Sequence, residues 1–278
     1  MPLTELPTED TKPTTDVLGR AILLYGGRKI GKTTFASQMP KPLFIATEAG
    51  QAHLAVRRVE VTNWTTFQEA CTLIKKGNND GSHDRQTIVI DTIDNLYKFC
   101  REHILKINNL AHESDQGFGR GYDLVNGAFF KALNWLALLP QGLLMISHAQ
   151  EKEVKNRVGG KESRIMPTLP PSAQKIVNGM ADFILYADVE EVPPAESGAV
   201  MGYRHVLRTK PTTIYEAGMR LLPGQLFPET LPLDYGIFSA ALSGALTDDA
   251  IEAAYAKWGV VETAVTAEKK TAFTGPRK

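Results

Sequence analysis

The run Gly26-Gly27-Arg28-Lys29-Ile30-Gly31-Lys32-Thr33-Thr34 matches G-x-x-x-x-G-K-[ST] in full. Residues of these types at this spacing can cradle a polyphosphate. The glycines let the backbone wrap closely, so that successive N–H groups and the N-terminus of a following helix face the negative charge. Lys32 can reach the β- and γ-phosphates and neutralise the transferred group, and the Thr33 hydroxyl can sit on Mg²⁺. An apolar run, Ala21 to Tyr25, precedes the loop and a helix start follows it, which is the context such a loop requires. The expectation is a nucleoside triphosphate bound along Gly26 to Thr34.

Two carboxylates and one imidazole stand where strand ends would bring them to the same ligand. Asp91 closes the β-branched run Thr87-Ile88-Val89-Ile90, where a carboxylate can hold Mg²⁺ or cap the next helix. Glu48 follows Phe44-Ile45-Ala46-Thr47 and can polarise a water aimed at the γ-phosphate, or remain a solvated loop residue. His148 ends Leu143-Leu144-Met145-Ile146-Ser147, placed to sense the γ-phosphate or to serve as a structural histidine.

Cations and aromatics mark candidate contacts to nucleic acid. The segment Glu151 to Ser163 reads as a charged loop, with Gly159-Gly160 in its middle. Here and just beyond, Lys152, Lys155, Arg157, Lys161 and Arg164 outnumber Glu151, Glu153 and Glu162, a mildly basic balance suited to a phosphate backbone. Gly117-Phe118-Gly119-Arg120-Gly121-Tyr122 offers two rings for base stacking and one arginine; its other reading is a turn that packs its own rings. Arg208 and Lys210 follow a strand-like run, where a cation could complete a neighbouring subunit's site or be an ordinary surface charge.

These positions need a scaffold of strands and helices in alternation. Strands are expected at Ala21–Tyr25, Leu43–Thr47, Thr87–Asp91, Gly142–Ser147, Asp182–Tyr186 and Tyr203–Thr209. Helices are expected at Lys32–Gln38, Trp64–Lys76, Ile93–Asn108, Leu124–Leu139, Ser172–Gly179 and Thr247–Trp258. This order predicts an α/β fold with a mostly parallel central sheet and helices on both faces. Residues 1–16 read as a flexible leader, 17–246 as the core, and 247–278 as a C-terminal helix and a polar, disordered tail.

Equal numbers of basic and acidic residues, 31 of each, exclude a strong net field for nucleic acid, so any such contact must be local. Cys71 and Cys100 are read as core residues of a reduced compartment rather than a disulfide framework. With no bilayer-length apolar run and no signal-peptide pattern, the cytosol is the expected location and no membrane partner is expected.

The order of these elements resembles the RecA-type recombinase core, and more closely the phage P-loop ATPases of the single-strand annealing group, from about Ala21 to Gly224. The resemblance rests on Gly26–Thr34, on Phe44-Ile45-Ala46-Thr47-Glu48, on Ile88-Val89-Ile90-Asp91-Thr92 and on Leu144-Met145-Ile146-Ser147-His148. Gly117–Tyr122, Asp182–Tyr186, Thr209-Lys210-Pro211 and Glu216-Ala217-Gly218 continue it. It implies a RecA-like P-loop NTPase core using ATP and Mg²⁺, with Glu48 as catalytic glutamate and His148 at the γ-phosphate switch position. It further implies DNA-facing loops at Asn109–Tyr122 and Glu151–Pro171, and trans-acting cations at Arg208 and Lys210. Single-stranded DNA, further copies of the chain in a ring or filament, and a single-strand-binding protein are the implied partners, in the cytoplasm of a bacterial host. Two residues depart from the family pattern: Ala46 stands where many recombinases carry Asp, and His148 where they carry Gln. The rival readings are a nucleic-acid motor of helicase-loader or packaging type, and a nucleotide-gated interaction protein without DNA.

Overall fold

Ile22, Leu23 and Leu24 are fully buried, and Ala21 before them is nearly so. A strand apolar on both faces belongs inside a sheet covered on both sides. The computed structural model has that architecture, and it describes residues 8, 10, 13–50, 53–115, 119–155, 159–192 and 202–258. The first half of the chain forms β1 (Ala21–Gly26), α1 (Lys32–Ser37), β2 (Pro42–Ala46), β3 (Arg57–Glu60), α2 (Trp64–Asp80), β4 (Thr87–Asp91), α3 (Ile93–Ile107) and α4 (Arg120–Ala137). The second half forms β5 (Gly142–Lys155), β6 (Lys161–Pro167), α5 (Pro171–Met180), β7 (Phe183–Val192), β8 (Gly202–Arg208), β9 (Gly218–Met219), β10 (Thr230–Pro232), α6 (Tyr235–Ser243) and α7 (Asp248–Trp258).

The sheet runs β10-β8-β7-β1-β5-β4-β2-β3, with β6 paired to β5 and β9 to β7. All neighbours from β7 to β3 are parallel, while β8 and β10 add antiparallel pairs at one side. The expected α/β class with a mostly parallel sheet is therefore present. Alternation along the strands divides the core into two layers. Ile22, Leu24, Phe44, Val89, Leu144 and Ile146 face α1 and α6, where Phe238 meets Phe35, Phe183 and Phe227 edge-on. Leu23, Ile45, Ile88, Ile90, Leu143 and Met145 face the opposite layer, built from α2 to α5.

The structure departs from the expected elements in several places; β9 and β10 have no expected counterpart, and β7 runs on past Tyr186 to Val192. The segment expected as a charged loop from Glu151 to Ser163 is a hairpin: β5 continues past His148 to Lys155 and pairs antiparallel with β6, from Ala149↔Pro167 to Lys155↔Lys161. Gln150 to Glu153 on one strand and Lys161 and Ser163 on the other are exposed, and this polar sequence hid the strand pattern. α4 begins at Arg120, so Arg120 and Tyr122 are helical rather than looped. β3 is an edge strand of sequence Arg-Arg-Val-Glu whose charges suit a solvated edge and mask its strand character. The unforeseen α6 starts where the Asp234 carboxylate accepts from the Gly236 and Ile237 N–H groups at 2.8 and 3.3 Å.

The expected leader lies mostly outside the described residues, and the polar tail entirely so. Among the described residues no helix is long and apolar enough to cross a membrane. Burial pushes the thiols of Cys71 and Cys100 up to about 12, in keeping with their part as packing residues.

Candidate nucleotide-binding site

Strand order assembles the site. β5 lies between β1 and β4, with Gly26 level with His148 and Asp91 level with Ile146. The carboxyl ends of β1, β4 and β2 and the Ile146–His148 part of β5 therefore meet along one edge, the position where open α/β sheets hold ligands. A cavity of about 590 Å³ opens there, and its lining includes Lys32, Thr33, Glu48, Asp91 and His148. Arg28, Lys29 and His53 add three basic side chains to its wall.

The loop from Gly26 to Gly31 needs its glycines. A Cβ on Gly26 would lie 2.4 Å from the Ala187 carbonyl oxygen, and Gly31 holds φ at +110°. Ile30 turns inward and is buried in the core, anchoring the loop, while Gly27, Arg28 and Lys29 remain exposed. Lys32 is 5% exposed, and its ammonium donates to the Gly26 and Gly27 carbonyls at 2.9 and 2.6 Å. Burial lowers its pKa to about 8, opposed by the nearby Asp91, Glu48 and Asp94 carboxylates. A polyphosphate in the loop would give this ammonium the counter-charge that the carbonyl dipoles supply only in part.

The Thr33 hydroxyl donates to Asp91 Oδ2 at 3.0 Å, and Asp91 is 3% exposed. The chemistry of these donors fits Mg²⁺, a hard cation that takes oxygen ligands. Among the described residues no cluster of three or more His, Cys, Asp or Glu could hold a metal by itself. One hydroxyl and one carboxylate leave most positions to water and phosphate oxygens, the usual arrangement for Mg²⁺ carried by a nucleotide. Thr33 and Asp91 would hold the ion, which supplies charge neutralisation at the phosphates. Lys32, Thr33 and Thr34 form the start of α1 directly after the loop.

Glu48 and His148 stand together at the far wall. His148 Nε2 lies 3.6 Å from Glu48 Oε1, and the Asn95 amide donates to Glu48 Oε2 at 3.4 Å. The imidazole is the largest of the influences that hold the Glu48 carboxyl below its ordinary range; Lys32 and Arg28 add to it and burial opposes it. His148 Nδ1 is buried without a hydrogen-bond partner, so the ring proton belongs on Nε2, facing the carboxylate. Glu48 is thus an ionised acceptor beside the cavity, a state suited to orienting a water molecule.

Comparison with known proteins decides the family. A family model described as an AAA domain matches residues 18–221, from just before β1 to the segment after β9. The chain belongs to the AAA domain family. It carries an AAA-type nucleotide-binding domain, and the matched span contains Gly26–Thr34, Glu48, Asp91 and His148. The chain is also similar to the SPbeta prophage-derived uncharacterized protein YorG of Bacillus subtilis (strain 168), with 23% identity over 170 residues. That alignment covers 60% of this chain and 50% of the relative, so the chain spans about half the length of the curated relative it matches.

Outside the cavity of this AAA domain the sequence-predicted residues scatter. Arg208 pairs with Asp188 and Glu190, each at 3.2 Å, and donates to the Thr230 hydroxyl at 2.9 Å. Lys210 pairs with Glu229 at 2.8 Å. Both cations are thus engaged within the chain. On the hairpin, Lys161 pairs with Glu153 at 2.8 Å and Arg164 with Glu162 at 3.0 Å, while Lys152 and Lys155 stand opposite Arg164 and Lys161. Arg120 and Tyr122 are exposed at the start of α4, away from the hairpin in sequence. Phe118 and Arg157 lie outside the described residues.

The structure adds Asn95, Asp94 and His53 to the site. Asn95 and Asp94 sit in the first turn of α3, directly after the strand that ends on Asp91. A polar first turn directly after a strand that ends on a carboxylate is the signal that could have found them. His53 carries no such signal.

Proposed function

We propose that this AAA domain hydrolyses ATP with Mg²⁺ and binds single-stranded DNA, promoting annealing or strand pairing in phage DNA recombination as a homo-oligomer. The observation that carries this reading is the continuity of β5. One strand runs from the core, through His148 at the cavity wall, into the solvated hairpin ending at Lys155. A change at the γ-phosphate end of the cavity can therefore bear directly on the hairpin that presents Lys152, Lys155, Lys161 and Arg164. In this mechanism Lys32 neutralises the transferred phosphoryl group, Glu48 orients the attacking water, and His148 contacts the γ-phosphate. Arg208 or Lys210 would act on a neighbouring copy only by leaving Asp188, Glu190 or Glu229. The prophage origin of the relative supports the phage setting, and a single-strand-binding protein is the expected co-partner.

The second reading is a nucleotide-gated interaction protein that binds no DNA. The ion pairs within the hairpin favour it, because they offset part of the positive charge that a phosphate backbone would need. A nucleic-acid motor has no separate observation in its favour.

Measuring ATP hydrolysis with and without single-stranded DNA, with parallel sizing of the complex, separates these readings. Stimulated turnover together with DNA-dependent assembly is expected. Nucleotide binding with no response to DNA would select the interaction protein.

A further inference from the structure

The Asp94 carboxylate lies in the first turn of α3, where acidic side chains commonly turn back to the free N–H groups of their own helix. Its hydrogen bonds go elsewhere. Oδ1 accepts from the Ser147 hydroxyl at 3.0 Å and from the Thr168 hydroxyl, and Oδ2 accepts from the His148 N–H at 3.3 Å. Ser147 and His148 lie where β5 leaves the core, and Thr168 follows the last residue of β6. The Thr168 N–H also donates to the His148 carbonyl at 2.9 Å. One carboxylate, 8% exposed and three positions beyond Asp91, thus holds both legs of the hairpin.

The same group acts on two residues of the cavity wall without lining it. Its charge bears on Lys32, and its bond to the His148 backbone fixes the residue whose imidazole faces Glu48. A buried carboxylate without its donors is costly, so these three bonds are kept or exchanged together rather than one at a time.

We propose that Asp94 is a positioning residue that locks the root of the β5–β6 hairpin to the nucleotide site, so that nucleotide binding and hairpin conformation are coupled through Ser147, His148 and Thr168. This rests on the nucleotide site assigned above, but on neither hydrolysis nor DNA binding. Displacement of His148 by a γ-phosphate would pull on the bond to Asp94 and, through Thr168, on the far leg of the hairpin. By reciprocity, a ligand that reorders the hairpin would shift His148 relative to Glu48.

The test is hydrogen–deuterium exchange on the full chain, with and without a non-hydrolysable ATP analogue and Mg²⁺. Thr168→Val removes the hydroxyl at nearly constant size, Thr168→Ser restores it, and Asp94→Asn removes the charge. In the wild type the analogue should protect residues 26–34 and change exchange across 149–155 and 161–167. Thr168→Val should bind the analogue within twofold of wild type and still protect 26–34, yet lose the hairpin response. Thr168→Ser should regain that response, and Asp94→Asn, compared at saturating analogue because its charge also bears on Lys32, should lose it. An unaltered hairpin response in Thr168→Val, or no hairpin response in a wild type whose 26–34 segment is protected, would overturn the proposal. DNA-stimulated turnover is a separate arm: its absence beside an intact exchange response removes the DNA reading and leaves the lock standing. Failure of the analogue to protect 26–34 at all would remove the nucleotide site and the lock with it.

Discussion

Thr33 Oγ1 lies 3.0 Å from Asp91 Oδ2, so the first turn of α1 touches the end of β4 although β5 separates β4 from β1, the strand that precedes α1. This contact brings a hydroxyl and a carboxylate to the place where a nucleotide's Mg²⁺ would need them. Asp91→Asn and Thr33→Ala should each remove most of the Mg²⁺-dependent gain in nucleotide affinity. A reduction at least as large as the roughly 10- to 100-fold carried by outer-shell partners of metal sites is expected. Nucleotide titrations with Mg²⁺ and with a chelator give the ratio, and an unchanged ratio would refute the metal assignment.

Lys32 should couple nucleotide binding to pH. Its pKa in the folded chain, about 8, is below the ordinary 10.5, so the fold disfavours the charged form. That cost is complete below about pH 8 and disappears as pH rises towards 10.5, so the nucleotide-free protein should gain up to roughly 3 kcal/mol over that window. A polyphosphate demands the charged form, so affinity should fall above about pH 8 with proton uptake on binding. Calorimetry in buffers of different ionisation enthalpy should detect that uptake near pH 9 in the wild type and not in Lys32→Met. Lys32→Ala should also abolish hydrolysis and weaken nucleotide binding by about 2–3 kcal/mol, the scale of a hydrogen bond to a charged group.

Glu48→Gln keeps the size of the side chain and removes the carboxylate that faces the cavity. Nucleotide affinity should stay within a few fold, while turnover should drop by about 10²–10⁴, the range of a general base. Single-turnover hydrolysis measures this directly, and a rate equal to wild type would return Glu48 to an ordinary wall residue.

The hairpin cations should differ among themselves. Lys161 and Arg164 already have carboxylate partners on the hairpin, so removing either also frees a glutamate. Replacing Lys152 and Lys155 with Ala should weaken binding to single strands and reduce its salt dependence by about 0.7 in log–log slope for each phosphate no longer neutralised. Superimposable titrations for the double variant and wild type would exclude these two lysines from the DNA interface.

Phe238 offers a check on the fold itself. Fully buried, it meets Phe35, Phe183 and Phe227 at centroid distances of 5.9, 5.9 and 5.8 Å, joining α6 to α1 and β7. Phe238→Ala should cost about 3–5 kcal/mol, read as a lower midpoint in chemical denaturation. A cost below about 1 kcal/mol would mean that α6 is not part of the cooperative core.

The sequence by itself determined the features that depend on neighbours along the chain. The run from Gly26 to Thr34 declares a phosphate loop because its glycines, lysine and threonine act within one strand–loop–helix unit. The apolar runs ending at Ala46, Asp91 and Ser147 declared buried parallel strands for the same local reason. Tertiary structure alone decided that β5 would lie between β1 and β4 and set His148 beside Glu48, because strand order depends on pairings between distant segments. It also turned a charged stretch into a hairpin, since backbone pairing with β6 needs no apolar pattern. Only the fold shows that Arg208 and Lys210 are held by Asp188, Glu190 and Glu229, and that Asp94 turns away from its helix towards Ser147 and Thr168. Side-chain chemistry is written in the residues, but a carboxylate's choice of partner depends on which distant donors folding brings within about 3 Å.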